Sequence, residues 1–508
     1  MEAYRFRKGF ATTLLVLFYS QACRSFLARL LGLAVCTPRF VCSFFGVFSS
    51  TWMRASFYFI FALAVGVLLP AADSTSSEKI SNSLGRLVER EYFGGHFFYT
   101  AADMRWSGET STRLPEVVGS WRLWDAYGTE WRDLEPEKGT WRFDYLDRYV
   151  NQAEARGMKV MLTLGQTPRW ASSRPDEQTA SGFGNAAMPR DIADWRNYIK
   201  EVSRRYKGRI QAYEIWNEPA FSDTDPAPSS IRKAGYFYGS AADMALLTKE
   251  AASVIRGIDS DALVVSSSIV GHHHGVRRLE ALLKAGVAQH VDVIGFHFYF
   301  VDTTAPEELP RLAARVKETM RKYGAEGLPL WNTESGLVIQ TRGKPVKALE
   351  AGGKGVLSKV LSEDEAVDSL SRLLLLGLHS GLQRYYWFAW DSYSMGFLSS
   401  ERPRSQTLPG FAFGKLARWT VGSYFEGCSR TGDAIWRCQF RSGKGARRAE
   451  ISWSENGDGK YACPFENACY VEEIVSTSST AEPLRFVSVK QRPVLVRDSS
   501  TPWAPGEY

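Results

Sequence analysis

No cysteine lies between Cys42 and Cys428, and neither a CxxC pair nor a His–Cys zinc spacing occurs anywhere in the 508 residues. That argues against a structural zinc module, whose tetrahedral site needs closely spaced Cys and His ligands. No glycine-rich phosphate loop comes after any candidate strand, which weakens an open, doubly wound nucleotide-binding sheet. An excess of one charge is also missing from most of the chain. The formal net charge is +7, but residues 1–72 hold seven basic residues and a single acid, Glu2, so residues 73–508 are within one charge of neutral. No general basic surface for nucleic acid remains. What is present is bulk: 44% hydrophobic and 13% aromatic residues exclude whole-chain disorder and small disulfide scaffolds.

Residues 1–72 read as a hydrophobic, basic leader. After Met53-Arg54, Ala55 to Ala72 carry no charge and end in Pro70-Ala71-Ala72. A basic start, an apolar core and small residues fit a secretory signal, with an uncleaved membrane anchor as the alternative. Both place the rest of the chain outside the cytoplasm, periplasmic or secreted, with the membrane touched only through this leader. Residues 73–84 are polar and read as a linker. Four cysteines (Cys428, Cys438, Cys463, Cys469) crowd one terminal module. An even set suggests two disulfides, with three pairings open, and four buried thiols as the alternative.

From about Glu91 short apolar runs alternate with amphipathic ones. Candidate strands are 92–98, 118–123, 159–164, 210–216, 262–268, 291–297, 328–333 and 384–390. Helical patterns such as 144–156, 191–206, 241–258, 310–323 and 364–379 lie between them. Eight such units predict an α/β fold, a (β/α)8 barrel over residues 85–423. Past Gly422 short alternating runs separated by Gly, Asn, Asp and Ser predict a C-terminal antiparallel β-sandwich over 424–508.

In such a barrel the chemistry gathers where strands end. Five of the seven histidines fall there, as do two glutamates that each close an apolar strand: Glu218 in Tyr213-Glu-Ile-Trp-Asn-Glu-Pro219 and Glu334 in Trp331-Asn-Thr-Glu-Ser-Gly336. These two motifs, with Trp131-x-x-Leu-Glu-Pro-x-Lys-Gly-x-Trp-x-Phe-x-x-Leu-Asp147, resemble clan A retaining glycoside hydrolases. The likeness is greatest to family 39 and its bacterial endoglycosidase relatives, with family 5 similar. The resemblance implies Glu218 as acid/base and Glu334 as nucleophile. It implies that Arg122 and Tyr299 hydrogen-bond Glu334, that Asn217, His96 and His297 bind sugar hydroxyls, and that Trp390 faces the sugar at the cleavage point. Trp124 and Trp170, at strand ends, are further candidate sugar platforms. No metal or organic cofactor is implied.

Physical chemistry agrees, since retention needs one protonated and one ionised carboxyl roughly 5 to 5.5 Å apart. Glu214 is no rival acid, because four strand residues set it roughly 13 Å from Glu218; it reads as an interior polar residue. Glu135 reads as structural, and His272–His274 as substrate contact or solvated loop rather than a metal site. The long loop 340–361, with Arg342, Lys344, Lys347, Lys354 and Lys359 against Glu350, favours an acidic polysaccharide if it is more than a solvated lid. The expected protein is an exported retaining β-glycosidase acting on an oligo- or polysaccharide, with bacterial exopolysaccharide one candidate. An exo-acting β-xylosidase or β-glucosidase and a non-catalytic glycan-binding protein are the alternatives.

Overall fold

The computed structural model describes residues 85–98, 116–299, 305–343, 359–399 and 405–505. Within those spans Ala180, 225–235, His272, Arg342, Tyr393, 444–446, Asn467, 477–482, 499–501 and Ala504 are not described. The leader, the linker and most of the basic loop 340–361 therefore lie outside the described residues. Among the described residues no helix is long and apolar enough to cross a membrane.

Eight parallel strands form the barrel: β1 (Phe93–Gly95), β2 (Ser120–Leu123), β3 (Lys159–Leu164), β4 (Ala212–Ile215), β5 (Leu263–Val265), β6 (Ile294–His297), β7 (Leu330–Ser335) and β8 (Tyr385–Trp387). Their hydrogen-bonded order is β5-β4-β3-β2-β1-β8-β7-β6, and next to β6 lies the short strand Ile269–Val270. That strand is the continuation of β5, and Val265 also bridges Val293 just before β6. The two edges of the sheet thus belong to one stretch of chain, and the barrel closes. Helices α1 (Asp144–Glu154), α2 (Ile192–Arg205), α3 (Ala241–Ile258), α4 (His273–Lys284), α5 (Leu309–Lys322), α6 (Glu363–His379) and α7 (Leu408–Thr420) alternate with the strands. The predicted helices match α1, α2, α3, α5 and α6. Of the His-rich segment after β5, His273 and His274 lie in the first turn of α4.

Alternation along the strands sorts the side chains. Trp121, Leu123, Leu162, Leu164, Tyr213, Ile215, Ile294 and Phe296 point outward into the shell beneath the helices. Inward-facing Met161, Ala212, Val265, Val293, Trp331 and Tyr386 fill a separate apolar layer inside the barrel. One step further along the same strands the interior turns polar, with Arg122, Thr163, Glu214, Thr333 and His96 all buried. An apolar floor under a polar layer is how a barrel core becomes an active face.

After the barrel come β9 (Ser423–Arg430), β10 (Ile435–Ser442), β11 (Arg448–Ser454), β12 (Gly459–Ala462), β13 (Tyr470–Glu473), β14 (Phe486–Val489) and β15 (Val494–Arg497). The order β9-β10-β11-β15-β13 forms one antiparallel sheet and β12-β14 a second, the expected sandwich. Residues Arg86–Leu87, which lead into the barrel, pair with β9 at Tyr424 and Phe425. Disulfides Cys428–Cys438 and Cys463–Cys469 select one of the three pairings. The sandwich is fastened to the barrel by Arg492, which binds Asp364 and Asp368 of α6, and by Trp453 Nε1, which donates to Glu307.

Candidate active site

Two local irregularities carry the glutamates to the barrel mouth. On β4, Ala212 and Glu214 face inward, and plain alternation would send Trp216 the same way. Instead Trp216 takes a left-handed backbone, φ 70°, and Glu218 another, φ 42°. The Trp216 ring turns into the outer core, its Nε1 donating to Tyr236 O at 2.9 Å, and Asn217 and Glu218 swing over the opening. Positive φ in bulky residues is strain of the kind that collects at functional sites. On β7 the pairing with β8 slips between Asn332 and Ser335, which oppose Tyr385 and Trp387. This bulge inserts one extra residue and lets both Thr333 and Glu334 turn inward, as bulges beside active sites do.

The partners of the two carboxylates differ. Glu334 is 6% exposed; it accepts from Arg122 Nη1 at 2.7 Å and from the Tyr299 hydroxyl at 2.7 Å. Glu218 Oε1 lies 2.8 Å from His297 Nδ1. Carboxylate oxygens of Glu218 and Glu334 and a ring nitrogen of His297 lie within 4.8 Å of one another, a set that would also fit a divalent cation. Burial pushes the Glu218 carboxyl up to about 7, against the pull of Arg122 and Arg278 and with the help of Glu214. Burial raises Glu334 as well, opposed by Arg122 and by the Tyr299 hydrogen bond. His297 is pushed down to about 4 by burial, so its ring is neutral near pH 7.

Below the pair sits a polar layer that sequence reasoning saw only in part. Arg122 Nη2 also donates to Asn217 Oδ1 at 2.6 Å, and Nε and Nη2 reach Glu214 Oε2 at 2.8 and 2.5 Å. Glu214 is interior, as expected, but it is tied directly to the arginine that holds Glu334. Thr163, Ser268 and Thr333 complete this layer and were not anticipated. Their signal was present in the inward register of β3 and β7.

Several expected sugar contacts are placed otherwise. His96 is fully buried, its Nε2 is 3.3 Å from Thr333 O, and its Nδ1 has no hydrogen-bond partner among the described residues. His297 is fully buried and pairs with Glu218 through Nδ1. Trp390 is 3% exposed and its ring is wedged among Phe97, Phe397 and Phe413. Trp124 is 2% exposed and edge-on to Tyr236. Trp170 is half-buried, donating to Glu135 O under Lys138. Their rings are large apolar surfaces, and covering them by core neighbours is the stronger driving force. Phe388 is the half-buried aromatic at the end of β8, with its ring 5.1 Å from that of His96. Asp125, directly after β2, was also missed. It is solvent-exposed at φ 57°. The surrounding cleft and then the Glu334 charge favour its protonated form, a rise that its own exposure to water limits.

Residues 123–353 match the family described as cellulase (glycosyl hydrolase family 5). The chain is 25% identical over 306 residues to endo-1,4-beta-xylanase A of Phanerodontia chrysosporium, covering 58% of this chain and 67% of that enzyme. It is 30% identical over 89 residues to endo-1,4-beta-xylanase B of Humicola insolens, which is 18% of this chain and 23% of that one. In fold it is similar to a GH39 beta-xylosidase from Caulobacter crescentus, with TM-score 0.54 at 16% identity over 81% of this chain and 97% of that one. The catalytic domain of GH30 xylanase C from Talaromyces cellulolyticus is equally similar, with TM-score 0.54 at 14% identity over 82% and 97%. Both glutamates lie within the segment, a little under half of the chain, that matches glycosyl hydrolase family 5, and the fold is similar to that of glycoside hydrolases built on a (β/α)8 barrel.

Proposed function

We propose that the chain is an exported β-glycosidase in which Glu334 is the nucleophile and Glu218 the acid/base, acting on a β-linked polysaccharide. The carrying observation is the pairing of two carboxylates whose oxygens come within 4.8 Å, the short separation that suits double displacement. Glu334 attacks the anomeric carbon while Glu218 gives its proton to the leaving oxygen, yielding a covalent glycosyl-enzyme and a free alcohol. Glu218, now ionised, takes a proton from water, which attacks the same carbon and releases the sugar with its configuration retained. Arg122 and Tyr299 hold one face of Glu334 so that its other lone pairs meet the substrate. Asn217 has its carbonyl oxygen occupied by Arg122, which leaves its NH2 for a sugar hydroxyl. His297 fixes the Glu218 carboxyl through Nδ1.

Export is supported by the basic, apolar leader and by two disulfides confined to the sandwich, since such bonds persist in oxidising compartments. Xylan is the first substrate to try, given the names of the relatives, with bacterial exopolysaccharides next. A preference for acidic polymers rests on the basic loop 340–361, and activity on a uronic-acid polymer should then fall as salt rises. The mechanism is tested by Glu334→Ala, which should abolish turnover and be rescued by azide as a glycosyl azide of inverted configuration. Full activity in that variant would refute the assignment.

A further inference from the structure

We infer that Glu214 is a positioning residue for this reaction: from beneath the cleft it clamps the Arg122 fork against Glu334 and Asn217 and places its carboxylate under the reacting pair. The inference rests on the roles proposed above for Glu218 and Glu334.

Glu214 is fully buried, and among the described residues it accepts every hydrogen bond given below. Oε2 receives Arg122 Nε at 2.8 Å, Arg122 Nη2 at 2.5 Å and Thr163 Oγ1 at 2.6 Å. Oε1 receives Ser268 Oγ, which itself lies 2.5 Å from Thr333 Oγ1, the neighbour of Glu334. One carboxylate thus gathers groups from β2, β3, the end of β5 and β7 around a single point. The guanidinium is a rigid plane. With Nε and Nη2 fixed on Glu214, the direction of Nη1, and with it Glu334 Oε2 at 2.7 Å, is fixed too.

Stability alone does not account for this arrangement. A buried ion pair costs desolvation that a well-packed apolar pair would avoid, and the layer just below is filled by apolar side chains. What the pair adds is geometry at the reacting carbon, where small displacements carry large rate penalties. It also adds charge: Glu214 is one of the groups that hold the Glu218 carboxyl up, at about 7.

The test compares Glu214→Gln with Glu214→Asp, using kcat, KM and the pH dependence of kcat/KM on an unactivated substrate, with folding checked by near-UV circular dichroism. Glu214→Gln should lower kcat roughly tenfold or more at nearly constant KM and move the alkaline limb to lower pH. Glu214→Asp keeps the charge and should leave that limb in place while kcat falls. A folded Glu214→Gln with the wild-type limb and kcat overturns the inference. If Glu214→Gln does not fold, Ser268→Ala decides: a several-fold loss of kcat at constant KM supports the clamp, and unchanged kcat refutes it. Glu334→Ala with azide rescue, measured alongside, separates failure of this inference from failure of the mechanism beneath it.

Discussion

An oxygen of Glu218 and an oxygen of Glu334 lie within 4.8 Å of each other, yet among the described residues the two carboxylates share no hydrogen-bond partner. His297 holds the first, and Arg122 and Tyr299 hold the second. Unequal surroundings are what allow two like groups to take opposite protonation states. The profile of kcat/KM against pH should therefore be a bell. Its alkaline limb should lie near 7, where Glu218 loses its proton, and its acid limb should lie above the ordinary carboxylate range, because burial raises Glu334. An optimum above about pH 8 would contradict the assignment of Glu218 as the acid.

The same burial makes the site costly in its charged form. Glu218 has a folded pKa of about 7 against an ordinary 4.5, so between those values the folded state binds more protons than the unfolded one. Stability from this group is then highest below about pH 4.5 and falls as pH rises through 7. Glu218→Gln removes the titration. It should raise stability at pH 8 by at most about 3 kcal/mol and leave it nearly unchanged at pH 4.5. Thermal melts of both proteins at the two pH values provide the check. An equal gain at both would show that packing, not charge, is responsible.

Gly336 closes the Thr-Glu-Ser-Gly motif for a steric reason. A Cβ there would run into the carbonyl oxygen of Phe388 and the Met395 methyl group. Phe388 N donates to Ser335 O at 2.8 Å, so the ends of β7 and β8 touch through backbone at this point. Gly336→Ala should push the two strand ends apart and tilt Glu334, lowering kcat roughly tenfold or more with a smaller change in KM. Wild-type kcat would mean that the β8 end yields without moving the carboxylate.

The barrel was legible because alternation and helix periodicity are strong local signals, and Glu218 and Glu334 were legible because each ends an apolar strand. Arg122 and Tyr299 also met Glu334 as the family resemblance implied. The tryptophans were not legible in the same way. Position at a strand end does not say which face of a ring the neighbours will cover, and Phe97, Phe397 and Phe413 cover Trp390. Glu214 looked too deep to matter because strand geometry measures distance along one strand. Its connection to Glu334 runs across strands, through the Arg122 guanidinium, and only the closed barrel brings those groups together.

The disulfides bear on the sandwich and not on the chemistry. Cys428–Cys438 joins β9 to β10 at directly opposed positions, and Cys463–Cys469 links β12 to β13. Their sequence separations are 10 and 6, and loops that short limit the chain-entropy gain to about 2–3 kcal/mol each. The adjacent β9–β10 strands are already paired, which reduces the first further. The sandwich holds α6 through Arg492, and Gly377 of α6 lies against the Tyr385 ring of β8. Reduction should therefore lower the melting temperature by a few degrees while kcat at 25 °C stays as it was, because Cys469 and Cys438 are buried in a module that does not contribute to the Glu218–Glu334 pair. Thermal melts and initial rates with and without a phosphine reductant measure both. Loss of kcat at an unchanged melting temperature would mean that the sandwich shapes the cleft directly.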